Sequence, residues 1–436
     1  MPRNFVNATL KESHYYLDGT SGNDTNDGLT VGTAKKTFEG VMAIIPDVIK
    51  HHTVVHLSGT INLEASGSTI YLSKTIAVNG LYFIFDGGDD TVEAAPGSTG
   101  LTMTSSGVAF ITKTGAGWTV DQWKGVWIKT ADNQYRMIQG NTADTLIPTI
   151  DFSPAPSGDF DIVVPGTQIT STSARTLTFS CIGLGYPTVQ RMRLSGGVRL
   201  YFRKDSLNSA TGIVSSNTSA YAFYAQAGDV SLIQYLWDPI SPPALLINHQ
   251  TGCSFNNGTV NFADDTKRVT IHSLIAKTCN LYGSSVSAIT NGCRFGHLNL
   301  DACTVAVASY LGSQGNRVNI IDGSTSVGVK INGVVGQPNF AASRWEINNC
   351  ASHGIEIIKS NVKFLGTVAG SGNGGAGVYA HDNSIVTIKD GSPPTLTGTV
   401  GDCSTDGTTE RTTWAEVDAD SPITDLYEST TIKEVA

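Results

Sequence analysis

Charge is scarce in this sequence. Asp, Glu, Lys and Arg make up 15% of its 436 residues, and the formal net charge is −9. No Lys/Arg cluster occurs, so a phosphate-tracking surface and a nucleic-acid partner are not expected. The acidic balance would also repel acidic polysaccharides unless local basic patches intervene. Long stretches rich in Ala, Glu, Lys, Leu and Arg are missing, which argues against long helices. Residues 1–12 (MPRNFVNATLKE) lack the apolar core of a signal peptide, and no run approaches transmembrane length. Neither general secretion nor membrane insertion is therefore expected, and a protein acting outside the cell would be released by lysis. The seven cysteines (Cys181, Cys253, Cys279, Cys293, Cys303, Cys350 and Cys403) form no CxxC pair, and their odd number indicates neither a disulfide framework nor a zinc site. They read as buried thiols of a protein that folds in a reducing cytoplasm. The histidines show no ligand spacing, and no nucleophile elbow, phosphate loop or dinucleotide fingerprint is present. Neither a metal nor a cofactor is expected.

What the chain has instead is glycine, 47 in all, with abundant Thr, Ser, Asn and Val, a mixture that suits stacked strands and tight turns. Tyr15-Tyr16-Leu17 reads as a strand and Asp18 to Thr30, DGTSGNDTNDGLT, as a turn. Its GNDTNDG core resembles a calcium loop but lacks the spaced glutamate, and turn chemistry accounts for its Asp and Asn residues. From Ala34 to Lys50, the apolar residues Phe38, Val41, Met42, Ile45 and Val48 fall at helical spacing. This short amphipathic segment is expected to cover the open end of a first coil.

The later sequence repeats. Cys253, Cys279 and Cys303 fall at similar spacing, and the gap from Cys303 to Cys350 is about double, with Val327 at the missing step. An inward cysteine ladder near a turn is expected. GVKI at Gly328, GIEI at Gly354 and GVYA at Gly377 recur at nearly equal spacing, and NVKF from Asn361 returns as SIVTI from Ser384 at the latter interval. Such repeats indicate a solenoid, because one coil cannot bury its own apolar face. In register, Val329, Ile331, Ile355, Ile357 and Val378 should point inward. Lys330, Glu356 and Tyr379 should form an outward row about 4.8 Å apart per step.

The composition changes from about Gly115 to Thr170, where Trp118, Trp123 and Trp127 cluster among turns and prolines. A small antiparallel barrel inserted between early coils is expected. Its Trp residues could stack on sugars or a partner protein, or fill the small core of the insert. The acidic tail from Thr397, with Trp414, is expected to close the C-terminal end or to meet a neighbouring chain.

The segment YYLDGTSGNDTNDGLTVGTAKKTFEGVMAII resembles the opening of pectate-lyase-like β-helix proteins, notably tailspikes and related virion proteins of tailed bacteriophages. Asp18, Gly22, Asn23, Asp24, Asn26, Asp27 and Gly28 match its turn, and Thr37 leads the helix. Trp118, Asp121, Trp123, Gly125, Arg136, Ile138 and NTADTL from Asn141 are similar to a small β-module of phage tail proteins. NGGAGVYAHDNSIVTI from Asn373 resembles a coil of the same group, and GDCSTDGTTERTTWAEVDADSPITDL the ends of phage minor structural proteins. Many tailspikes carry a long anchoring domain ahead of the β-helix, whereas only a short arm precedes the first strand here. A separate anchor subunit or a decoration role is one way to reconcile the two. The expected fold class is all-β, a right-handed parallel β-helix with a capping helix and an inserted antiparallel module. The expected divisions are an arm over 1–12, capping helix and first coils over 13–114, the insert over 115–170, the main β-helix over 171–396 and a closing segment over 397–436. The resemblance implies a homotrimer with parallel axes, placed in the virion among other virion proteins.

Proteins of this group often cut polysaccharides, by glycoside hydrolysis between two carboxylates or by elimination with a base and a charge-neutralising cation. Stacked coils could assemble such groups without a local motif. Candidate rows are Asp301, Asp322 and Glu346, at near-constant spacing, and Glu356 with Asp382, about one coil apart and near Tyr379. Asp264-Asp265 with Lys267 and Arg268 is a compact charged turn. Each could equally be a solvated turn or an ion pair, such as Lys330 with Glu356 across neighbouring coils. Two function classes follow. One is a non-catalytic virion spike or decoration that contacts the host surface. The other is a depolymerase acting on host surface polysaccharide; a secreted pectin-type lyase conflicts with the missing signal peptide.

Overall fold

The computed structural model describes residues 12–67, 69–76, 81–149, 151–179, 182–183, 186–203, 208–215, 223–226, 228–232, 253–262, 266–271, 274–282, 285–289, 293–301, 304–305, 318–322, 324–336, 344–364, 368–382, 384–389, 395–398, 401–405, 423–424 and 431–435. Strands dominate, and a single α-helix, Phe38–Ile44, occurs among the described residues.

The first strand, Glu12–Asp18, runs into the Gly/Asp/Asn turn, whose acidic side chains fold it onto itself. Asp18 accepts from the N–H groups of Thr20 and Ser21, and Asn23 from that of Thr25. Asp24 reaches across the turn to accept from the Lys36 and Thr37 N–H groups and from the Thr37 hydroxyl. Thr37 in turn caps the helix by accepting from Gly40 N at 3.0 Å. The helix buries Phe38, Val41 and Met42 in the same core as Leu17, Val55 and Phe85. It stops at Ile44 because Pro46 cannot continue it. The expected helical Val48 is instead 43% exposed in a short strand, Val48–Ile49, paired in parallel with Thr75–Ile76.

Beyond the helix, strand lies parallel on strand. Val329–Asn332 pairs with Ile355–Ile358, which pairs with Ala376–His381, which pairs with Gly401–Thr405. Side chains alternate across these strands. Val329, Ile331, Ile355, Ile357 and Val378 are fully buried, as the repeat requires, while Lys330, Glu356 and Tyr379 share an outward row. One hydrophobic core runs through the stack from Leu17 to Leu396. Parallel strands joined only by turns leave polar groups inside the corners, and two buried side chains show how such groups find partners. Asn373, fully buried, donates to Ile347 O and Thr397 O and accepts from Cys350 N. Ser384 lies under Ser360 in a second buried stack.

The cysteine ladder does not form. Cys279 and Cys350 are buried as expected, but Cys253 stands opposite Leu274, and Cys279 opposite Val260 and Leu298. The coils here are shorter than the intervals between cysteines. Cys279 therefore overshoots the partner of Cys253, and Cys303 overshoots the partner of Cys279.

Antiparallel strands occupy Thr91 to Pro165, starting well before the change of composition at Gly115. They enclose two small cores. The chain leaves the stack after Tyr82–Asp86 and rejoins it at Gln168–Phe179. At this root Thr167 Oγ1 lies 3.0 and 2.8 Å from the carbonyl oxygens of Leu57 and Gly87, and Arg191 bridges Asp86 and Asp89. Of the acidic tail, Gly401–Thr405 and Thr431–Val435 extend the parallel stacking, while Trp414 lies outside the described residues.

Candidate functional site

The strand position shared by Lys330, Glu356 and Tyr379 continues in register far past the three members legible in the repeat. By backbone register, the same strand position runs through Tyr71, Thr178, Tyr201, Tyr224, Asn261, Asn280, Asn299, Lys330, Glu356, Tyr379 and Ser404, the side chains of Tyr224, Asn261, Asn280 and Ser404 lying outside what is described. Ten steps at about 4.8 Å give a track of about 48 Å. Tyr71 is 62% exposed at one end, and Thr178 is buried beside it. Its two charged members neutralise each other, Lys330 Nζ standing 3.3 Å from Glu356 Oε2. The sequence carried a signal for the middle of this row. TVNF, TCNL and HLNL place Asn261, Asn280 and Asn299 at equal intervals, a beat obscured by the longer cysteine spacings.

Near the other end, rings and carboxylates crowd together. Tyr379 is stacked on His353 at 4.4 Å and leans against His381 at 4.8 Å. It therefore offers less free ring face than a stacking platform needs. His353 Nδ1 accepts from Ala376 N, and burial holds its imidazole below the usual range, with His381 acting the same way and Glu356 opposing. His381 has Nε2 3.4 Å from Glu356 Oε1 and Nδ1 3.6 Å from Asp382 Oδ1. The structure thus brings Glu356 and Asp382 together, but with an imidazole between them where a scissile bond would have to lie.

The other expected row is not assembled. Asp301 stands opposite Asn332, Asp322 opposite Asn348, and Glu346 opposite Ile320 and Ala369, so the three belong to different rows. The coil that begins at Asp301 is the longest of these and the one at Glu346 the shortest, which defeats the constant spacing assumed for them. Asp322 is engaged by Arg294 and Asn349. Asp264 and Asp265, and the side chains of Asp301, Lys267 and Arg268, lie outside what is described. Trp127 and Trp123 are 1% and 7% exposed and fill the inserted module, and Trp118 packs edge-on against Trp123. Trp123 and Trp127 therefore present no ring face for a sugar or partner, while Trp118 is half-buried. Among the described residues, no group of three His, Cys, Asp or Glu could hold a metal ion, and no helix is long and apolar enough to cross a membrane.

No protein-family model and no curated protein matches the chain. Among solved structures, the tailspike gp61 of Pseudomonas phage phi297 matches at 14% identity, covering 81% of this chain and 68% of that one, with a TM-score of 0.22. That likeness is distant.

Proposed function

We propose that the chain is a structural protein of a tailed-bacteriophage virion, a spike or decoration that attaches to an uncharged glycan on the host surface. The fold read here is a right-handed parallel β-helix, since parallel crossovers within one sheet are right-handed in nearly all proteins. The register that aligns Tyr71, Tyr201, Tyr224, Asn261, Asn280, Asn299 and Tyr379 at one strand position carries the reading. Tyrosine rings suit the C–H faces of sugars, and asparagine amides both donate to and accept from hydroxyls. Its one lysine and one glutamate pair with each other, so it offers no net positive charge to a uronate or phosphate. It also lacks the aliphatic residues that make up the buried centre of a protein–protein interface. The assembly proposed is a homotrimer with parallel axes, alongside other virion proteins, released from the host by lysis. A depolymerase finds no support at Glu356 and Asp382, where His381 fills the gap.

The test is adsorption of labelled protein to a panel of bacterial strains, with cells treated by periodate, which cleaves vicinal diols, or by protease. Binding abolished by periodate and untouched by protease is the expected result. Binding lost to protease alone, or to no strain at all, would overturn the reading.

A further inference from the structure

The inserted module is tied to the stack at a second point, far from its root. Arg294, in the strand Arg294–Asp301, donates from Nη1 and Nη2 to the two carboxylate oxygens of Asp121 at 2.8 and 2.6 Å. The same guanidinium donates to Gln139 O at 3.2 Å and to Asp322 at 3.3 Å, and Asn349 donates to the other oxygen of Asp322. Gln139, 3% exposed, reaches back to Cys293 O at 3.4 Å. Lys124 completes the cluster. Burial pushes its ammonium below the usual range, with Arg294 adding to that effect and Asp121 and Asp322 opposing it.

The backbone is shaped around this junction. Asp121 sits in the left-handed region at φ 61°. A Cβ on Gly140 would come within 2.7 Å of both Arg294 Nη1 and Asp121 Oδ1. Along the strand register, Gln168 at the root and Arg294 are five steps apart, through Arg193, Val214, Ser254 and Ile275. Five steps amount to about 24 Å along the stack.

We infer that the module is a strut clamped across five steps of the stack by the Arg294–Asp121–Asp322 junction. A lone parallel stack can fray coil by coil, because each coil touches only its neighbours. A strut rooted at one coil and pinned at another makes the intervening coils open together or not at all. Bidentate Arg–carboxylate geometry suits a pin, since it fixes angle as well as distance.

Hydrogen exchange read by mass spectrometry on the full chain tests this with Arg294→Met. Exchange in peptides spanning 118–142 should rise at least tenfold, while the strand Ile355–Ile358, above the pin, keeps its wild-type protection. A folded variant whose 118–142 exchange is unchanged would overturn the strut. Should Arg294→Met fail to fold, Asp121→Asn decides by the same readout, because it leaves the guanidinium its Asp322 and Gln139 partners. A threefold or greater rise supports the clamp, and an unchanged profile rejects it.

Discussion

Glu64 shows how single carboxylates hold corners of the stack. It accepts from the hydroxyls of Ser171 and Thr172 and from the backbone N–H groups of Thr172 and Ser173, all far away in sequence. These bonds, led by the Thr172 hydroxyl, lower its pKa from 4.5 to about 2. The depressed value means that its stabilising contribution is present above pH 4.5 and is lost as pH falls through about 2. Thermal melts from pH 5 to pH 2 should therefore show a smaller drop in Tm for Glu64→Gln than for wild type. Equal drops in the two proteins would remove Glu64 from the explanation. Composition forecasts a turn-rich, lightly charged chain, but no sequence signal links Glu64 to Ser171, because the contact is made by folding alone.

At the scale of elements, the opening turn and helix were legible because their chemistry is local. Asp24 and Thr37 lie within one turn-and-cap unit, and side chains of their type have few other uses there. Asp24→Ala should lower stability by about 1 kcal/mol, the typical net worth of a side-chain hydrogen bond, by removing the acceptor of the Lys36 and Thr37 N–H groups and of the Thr37 hydroxyl. It should also speed exchange across Phe38–Ile44; unchanged exchange would show that packing alone holds the helix. The repeat starting at Gly328, Gly354 and Gly377 was legible for a similar reason, since consecutive strands of similar pattern stack directly. Cysteines and acidic residues spaced along the chain gave false rows. Their spacing was read as constant, whereas the short coil from Cys279 to Leu298 is followed by the much longer one from Asp301 to Asn332. The inserted module was legible through its tryptophans. Its first strands were not, because Thr91–Glu93 and Leu101–Thr102 are short and their composition resembles that of the coils.

For the whole molecule, the long outward row matters more than any cluster on it. Glu356 and Asp382 both approach His381. The tyrosines and asparagines of the row instead share one strand position, an alignment in register that only a stack of coils could produce. Sequence reasoning reached its Lys330–Glu356–Tyr379 end and missed the rest, because the register between distant coils follows from every intervening turn length.

The most direct test is a binding panel of bacterial surface oligosaccharides, neutral and uronate-bearing, against the intact protein and Tyr201→Ala. Tyr201 lies between Thr178 and Tyr224 in the row. The expected result is binding to a neutral oligosaccharide that weakens at least tenfold in Tyr201→Ala, with Tm unchanged. Tight binding to uronate-bearing chains alone, or neutral binding indifferent to Tyr201, would contradict the assignment of this row to the host glycan.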